Sequence, residues 1–228
     1  MAYRRRPRRS DLITWAWYLV AGVLAQIILG GITVRLDLHP LLVSAHFLLS
    51  MVLLWNAMVL FAKARGGAGR PTPTVPDRLI THSLAVVLAT SILLVTGTVV
   101  TGTGPNSGDF RADRLNLALT DVARIHSAAS WITLLLLVTL ALRLRRSGIA
   151  PRAVQAPVVA AVVQGAIGYT QYNLGVPPAL VMAHVVGAVT FFLLVLRMHL
   201  GWFERPTEIV GPTEPGPSVA REEDLARG

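Results

Sequence analysis

The sequence predicts an all-α, polytopic membrane protein with six transmembrane helices. Of its 228 residues, 53% are hydrophobic and 14% are charged, and the mean hydropathy is +0.57, whereas a soluble domain carries about 25% charged residues. Several apolar runs reach the ~20 residues that cross a hydrocarbon layer of about 30 Å. The strongly basic segments follow alternate runs, so they all fall on one side of the membrane, as the positive-inside rule requires.

Two features of the composition narrow the function. The net charge is +9, but the arginines cluster at the ends of apolar runs, which indicates membrane orientation and not nucleic-acid binding. The chain has no cysteine, which excludes disulfides, thiolate ligands and covalent attachment of a c-type haem.

The elements follow from the apolar runs and from the basic and turn-rich segments between them. The predicted helices cover residues 12–34, 40–62, 79–101, 121–142, 154–173 and 177–200. The remaining segments are a basic N-terminus (1–11), a basic Gly/Pro-rich loop (63–78), an outer loop (101–121) and a polar tail (204–228) that we expect to be disordered. This order places both termini in the cytoplasm and the chain in the plasma membrane.

A repeat of 21 residues organises the chain. Residues 26–46, QIILGGITVRLDLHPLLVSAH, and residues 164–184, QGAIGYTQYNLGVPPALVMAH, share eight identities, among them Gln, Gly, Pro and the final His. Helices 5 and 6 therefore repeat helices 1 and 2. We predict that helices 3 to 6 (79–200) form a four-helix bundle, and that the pair 12–62 is the second half of a pseudo-symmetric earlier bundle.

Three of the six histidines are predicted at one depth in the membrane. His46, His126 and His184 each follow a predicted helix start by five to seven residues, which places them about 8–10 Å below the outer surface. Ionisable residues in the membrane are functional candidates, although a hydrogen bond to a neighbouring helix is an equally simple role for one buried His. His39, His82 and His199 are expected at the interfaces, in reach of water.

The residue types around these histidines favour a haem over other metal sites. The predicted helix interiors contain no Asp or Glu, which disfavours zinc, di-iron and carboxylate-based ion transport. A haem is an apolar disc that needs one or two axial nitrogens. His126 and His184 can face each other across the bundle, and two histidine ligands would favour electron transfer over oxygen chemistry.

Two further groups of residues fit a haem but also have ordinary explanations. Small residues at Gly97, Gly102 and Gly104 allow a flat macrocycle to approach, or simply allow close helix packing. Arginines at the outer face could bind haem propionates, or could contact lipid headgroups. They are Arg35, Arg111, Arg114 and Arg124. Arg124, two residues before His126, is the strongest candidate among them.

Four segments together resemble the heme A synthase family, in particular its actinobacterial members. They are GGITVRLDLHPLLVSAHFLLS (30–50), TGTVVTGTGPNSGD (96–109), ARIHSAAS (123–130) and the repeat segment 164–184. The resemblance implies two four-helix halves, a haem b cofactor on His126 and His184, and binding of the substrate haem O on the side of His46. The implied reaction is oxidation of the haem O C8 methyl to the formyl group of haem A, for terminal oxidases.

The same resemblance begins at the family's third helix. We therefore expect that two helices, with the second histidine and the acidic residue of the substrate site, are absent. A late start codon or a fragment is favoured over a short form that pairs with another chain. The implied partners are membrane lipid, haem O synthase, an electron donor or a chain that supplies those helices, and a homo-oligomer stays open. A non-enzymatic b-type electron-transfer subunit and a transporter with structural histidines are the alternatives.

Overall fold

The computed structural model describes residues 9–105 and 111–206, which form six long α-helices joined by short connections. In chain order the helices are α1 Ser10–Arg35, α2 Pro40–Arg65, α3 Asp77–Thr103, α4 Leu119–Arg146, α5 Arg152–Asn173 and α6 Pro178–Leu200. Each is long and apolar enough to cross a membrane. The shortest, α5, has 22 residues and is therefore about 33 Å long. The prediction of an all-helical chain with six helices of membrane-spanning length is confirmed.

The helices extend beyond the predicted bounds at most ends. The largest extension is at α4, which continues to Arg146 because the leucines and arginines after the apolar run are strong helix formers. Most of the basic N-terminal segment and most of the polar tail lie outside the described residues. Of the tail, Glu204 lies in a short strand.

A two-stranded ribbon joins the α2–α3 loop to the chain that follows α6. Strand β1, Thr72–Pro73, pairs antiparallel with β2, Phe203–Glu204. Beside it, both the backbone N–H and the hydroxyl of Thr74 donate to the carbonyl of Trp202, at 2.9 and 3.1 Å. The ribbon marks the end of the molecule where α2, α4 and α6 finish, here called the ribbon end, and the opposite end is called the turn end. The sequence did not predict it, since two-residue strands leave no periodic pattern.

The helices pack as three hairpins, and the hairpins also contact one another. Helix α1 packs on α2, α3 on α4, and α5 on α6, while α3 also contacts α6 and α4 also contacts α5. Helix α2 joins this group through α3 and α6. The larger buried cluster lies between α3, α4, α5 and α6, and includes Leu79, Val86, Leu137, Leu140, Leu144, Val154, Phe191 and Val195. A smaller cluster of Met51, Leu94, Phe192 and Leu196 attaches α2.

Two histidines that were expected at an interface instead fasten helices together. His82 is 8% exposed, and its Nε2 lies 3.0 Å from the carbonyl oxygen of Leu136. The Nδ1 of His199 lies 2.7 Å from the hydroxyl of Ser83. His82 is therefore buried between α3 and α4 and does not reach water as expected, whereas His199 lies next to the last residue of α6 and remains partly exposed. His39 does lie in the α1–α2 connection, where its Nδ1 accepts from the N–H of Leu41 at 3.4 Å.

The two copies of the repeat adopt the same turn. Leu38 and Val176, which occupy equivalent positions, have φ values of 58° and 62°. The N–H of Leu38 donates to Thr33 at 3.0 Å, and that of Val176 donates to Gln171 at 2.7 Å. A proline then begins the next helix in both copies, where its missing N–H costs nothing. His46 and His184 follow these prolines at the same spacing, so both stand at the same height above their helix starts.

Candidate functional site

The rings of His126 and His184 meet near the turn end of the molecule. His126 stands seven residues after the first residue of α4 and His184 six residues after the first of α6, so the two lie at similar depth. Their ring centroids are 6.3 Å apart and their planes make an angle of 78°. Two sequence-distant helices therefore present their histidines to the same space.

The separation of the rings matches the distance across one shared metal ion. Metal–imidazole bonds are about 2.0–2.1 Å long and the ring has a radius of about 1.15 Å, so two imidazoles on opposite sides of one ion have centres about 6.4 Å apart. The observed 6.3 Å is close to this value, and it also lies within the roughly 4.5–7 Å of an ordinary edge-to-face ring contact. The near-perpendicular planes are compatible with a shared ion, since each ring can rotate about its own metal–nitrogen bond.

A glycine on a neighbouring helix lies against each of these rings. A Cβ added at Gly97 would be 3.1 Å from Cε1 of His126, and one added at Gly168 would be 3.3 Å from Cε1 of His184. These distances are shorter than an ordinary carbon–carbon contact of about 3.5–4.0 Å. The rings therefore occupy space that exists only because residues 97 and 168 have no side chain. Gly102, by contrast, serves close packing, against Pro40 and Leu115.

A threonine fixes which nitrogen of His126 is available. The Oγ1 of Thr96 lies 3.0 Å from Nδ1 of His126 and donates to the carbonyl of Leu93 at 3.0 Å. A hydroxyl has one proton, so with that proton donated to Leu93 the oxygen accepts from Nδ1–H. The ring proton is thus on Nδ1, and the lone pair of Nε2 is left for another partner. Metal-binding histidines are commonly oriented in this way.

One ring nitrogen of His184 is buried without a hydrogen bond to the described part of the protein. Among the described residues, its buried Nδ1 has no hydrogen-bond partner. A buried polar atom without a partner costs about 1–3 kcal/mol, and such atoms call for an explanation. The Nδ1 of His82 is likewise buried without a partner, but the Nε2 of His82 and the Nδ1 of His199 each contact a group on a neighbouring helix. His184 forms no hydrogen bond within the described residues, so its ring does not fasten α6 to a neighbouring helix.

Cavities open on both sides of the pair. One of about 260 Å³ extends between α2, α3 and α6, and one of about 630 Å³ extends between α3, α4 and α5. Both are lined by Gly97, Thr101, His126, Ser130, Gln164 and His184. Together their volumes fall within the roughly 300–1,000 Å³ of small-molecule and cofactor sites. The imidazole pair therefore stands at the junction of a space large enough for a planar cofactor.

Of the four arginine candidates, Arg124 alone lines one of these two cavities. It borders the larger one, its side chain is 77% exposed, and its Nη1 lies 3.7 Å from the carboxylate of Asp121. An ion pair this exposed is worth little, so the guanidinium is free to turn toward an anion in the cavity. Arg35 and Arg111 are exposed, and Arg114 donates to the carbonyl of Pro105 at 2.9 Å.

His46 lies apart from the pair but in a closely similar setting. A Cβ added at Gly30 would be 3.3 Å from its Cε1, as at Gly168 beside His184. Its Nδ1 is also buried without a partner among the described residues. The side chain of Gln26 donates to the carbonyl of His46 at 3.1 Å. His46 lines neither of the two cavities, so the structure does not bring it together with His126 and His184.

Sequence reasoning missed three residues at the site, Thr96, Ser127 and Trp131. Thr96 lies 30 positions from His126, and no local pattern links them. Beside the larger cavity, Tyr169 Oη lies 2.6 Å from Ser127 Oγ and accepts from Trp131 Nε1 at 3.0 Å. Ser127 and Trp131 are four residues apart on α4, a spacing that puts them on one face, which is the signal that could have found them.

The described residues do not offer the set of ligands that a zinc site needs. No cluster of three or more His, Asp or Glu side chains that could hold a metal occurs in residues 9–105 and 111–206, so a zinc-like site of three or four protein ligands has no candidate there. Comparisons of the chain with protein-family models, curated proteins and solved structures found no match.

Proposed function

We propose that this chain binds haem b between His126 and His184, inside a four-helix bundle formed by α3 to α6. The observation that carries the proposal is the 6.3 Å between the two ring centroids, which is the spacing for two imidazoles on one iron. The ring of contacts α3–α4, α4–α5, α5–α6 and α6–α3 supports the bundle. Cofactor sites of helix bundles are built in this way, from side chains on facing helices.

The surroundings of the pair also fit a haem. Gly97 and Gly168 leave backbone surface beside the rings, and His184 forms no hydrogen bond within the described residues, which leaves its ring available to a ligand. The alternative, that both histidines are helix fasteners, predicts a hydrogen-bond partner for each. His82 and His199 meet that prediction, whereas His184 does not.

The residues around the proposed haem site would have separate roles in binding. A haem held by two histidines supplies single-electron transfer, because no axial position is left open. Thr96 keeps the proton of His126 on Nδ1, so that Nε2 can bind. The apolar walls of the smaller cavity exclude water, and Arg124 at the edge of the larger cavity can pair with a carboxylate of the cofactor.

We propose further that the protein acts in the conversion of haem O to haem A, as the resemblance to heme A synthases suggests. The repeated setting of His46 beside Gly30 supports this, since it gives the chain a second imidazole in a haem-like environment, on the side where the resemblance implies the substrate. The haem b site would deliver electrons, and His46 would orient haem O.

A non-enzymatic electron-transfer subunit is the second candidate. One observation favours it: among the ring contacts of the described residues, one joins two histidines, His126 and His184, and none includes His46. Such a protein would carry haem b and would not need to bind haem O.

The first test is spectroscopic. The full chain, purified from membranes in mild detergent, is expected to show a low-spin b-type reduced-minus-oxidised spectrum, with haem b identified by chromatography of the extract. His126→Ala and His184→Ala should each lose most of the haem, and His39→Ala, at a turn, should retain it. Wild-type protein that is folded and colourless, or alanine variants with unchanged haem content, would refute the haem b site.

A second measurement separates the two functions. Haem O, a reductant and oxygen are added to membranes that contain the chain, and the haem extract is analysed for haem A. Haem A formation that is lost in His46→Ala supports the enzyme. An intact b-type spectrum without haem A formation supports the electron-transfer subunit.

A further inference from the structure

A basic groove at the ribbon end is separate from the histidine site. It runs between the last turns of α2 and α6 and is closed on one side by the β1–β2 ribbon, with a volume of about 1,080 Å³. Four cationic side chains line it, Lys63, Arg65, Arg197 and Arg205, and one acidic side chain, Glu204, does so too. The groove therefore carries a net positive charge.

Little of this positive charge is neutralised by the protein. In residues 9–105 and 111–206, Arg65, Arg197 and Arg205 take part in no ion pair. The nearest carboxylate to Lys63, that of Asp11, is 3.9 Å away and already accepts two hydrogen bonds from Arg9, at 2.9 and 3.0 Å. That bonding also raises the pKa of the Arg9 guanidinium. Arg65 lies over the ring of Phe61 at 5.3 Å and Lys63 over a ring of Trp15 at 5.6 Å, but neither contact neutralises the charge, so the groove keeps an excess of cations over carboxylates.

The remaining walls of the groove are apolar. Met58 and Val59 contribute from α2, Leu200 from α6 and Phe203 from the ribbon. The stem of Arg205 packs on the backbone of Gly66, where a Cβ would be 2.8 Å from the arginine Cβ, so the ribbon holds this arginine in place. Cationic heads beside an apolar wall complement a molecule that has both an anionic group and a hydrocarbon part.

We infer that this groove binds an anionic phospholipid, with the phosphate among Arg65, Arg197 and Arg205 and an acyl chain along the apolar wall. Its position favours a lipid over a free anion, because the groove lies at helix ends, where lipid headgroups are found. Basic pockets between transmembrane helices are a known mode of anionic headgroup binding. An occupied groove would also link α2 to α6 and hold the ribbon against both.

The inference is tested on the full chain, delipidated in neutral detergent. Cardiolipin, phosphatidylcholine or inorganic phosphate is added at equal phosphorus concentration, and bound lipid is counted by native mass spectrometry while the melting temperature is recorded. We expect cardiolipin to remain bound and to raise the melting temperature, and the other two to have little effect. Equal effects of cardiolipin and phosphatidylcholine, or an effect of inorganic phosphate that matches cardiolipin, would overturn it.

Matched charge variants locate the site. Arg65→Gln and Arg197→Gln should each weaken cardiolipin binding about fivefold, the value of one basic residue near an anionic surface. The control is Arg145→Gln/Arg146→Gln, which removes two charges at the same end of the molecule, on α4 and outside the groove. If the control weakens binding as much as the groove variants do, the inference fails. Circular dichroism identifies a variant that does not fold, in which case the other single variant decides.

Discussion

The glycines that face the histidine rings offer the sharpest test of the proposed haem site. Gly168→Ala would place a methyl carbon 3.3 Å from Cε1 of His184, and Gly97→Ala would place one 3.1 Å from Cε1 of His126. Ordinary van der Waals contact begins at about 3.4–3.5 Å, so each ring would have to move by a few tenths of an ångström.

This displacement is comparable with the variation that a metal–ligand bond tolerates, or slightly exceeds it. Metal–ligand distances vary by only about 0.2 Å around their usual values. A shifted imidazole therefore either stretches its bond to iron or tilts away from it. Changes in the shell that orients a metal ligand typically cost about 10–100-fold in metal affinity. We expect haem affinity to fall by at least about tenfold, which is about 1.4 kcal/mol.

Haem titration of the purified protein measures this effect, and the same helix provides a control. Gly165 lies three residues before Gly168 on α5 and lines the larger cavity, but a Cβ added there meets nothing within 4 Å. Replacing a helical glycine with alanine favours the helix by about 1 kcal/mol. Both variants should therefore fold at least as well as wild type, and only Gly168→Ala should lose haem.

Two results would refute the reasoning. Haem affinity in Gly168→Ala and Gly97→Ala equal to that of wild type would mean that the ring positions do not control haem binding. Equal losses in Gly165→Ala and Gly168→Ala would point to a general effect on α5 and not to contact with His184.

Three further predictions follow from individual contacts. Thr96→Val removes the acceptor for His126 Nδ1–H and should weaken haem binding about tenfold, whereas Thr96→Ser should bind as wild type; a normal titration of the valine variant would contradict this. Ser83→Ala breaks the 2.7 Å contact with His199 and should cost about 1–3 kcal/mol of stability. The melting temperature in detergent should fall while the haem spectrum stays unchanged, and an unaltered melting temperature would argue against this role. Val176→Gly relieves a φ of 62° and should stabilise the fold by about 1 kcal/mol, so a lower melting temperature would show that the turn is not strained.

The sequence alone determined the helices and the depth of the histidines. Apolar runs of membrane-spanning length identify helices whatever their partners, because in lipid the backbone must bond within its own segment. Pro40 and Pro178 mark two helix starts, since proline suits the first helical position. With those starts known, counting at about 1.5 Å per residue gives the depth of His46 and His184.

Only the tertiary structure decided which side chains meet. A helix that faces lipid on one side and protein on the other is apolar all round, so its sequence does not reveal which face is inside. The rotation of the helices and the closeness of their approach decide whether His82 and His199 reach water. They also decide that Thr96 orients His126 and that Gly97 and Gly168 make room for the rings. The 6.3 Å between His126 and His184 is set by that rotation and approach, and it is what turns two histidines at one depth into a candidate site.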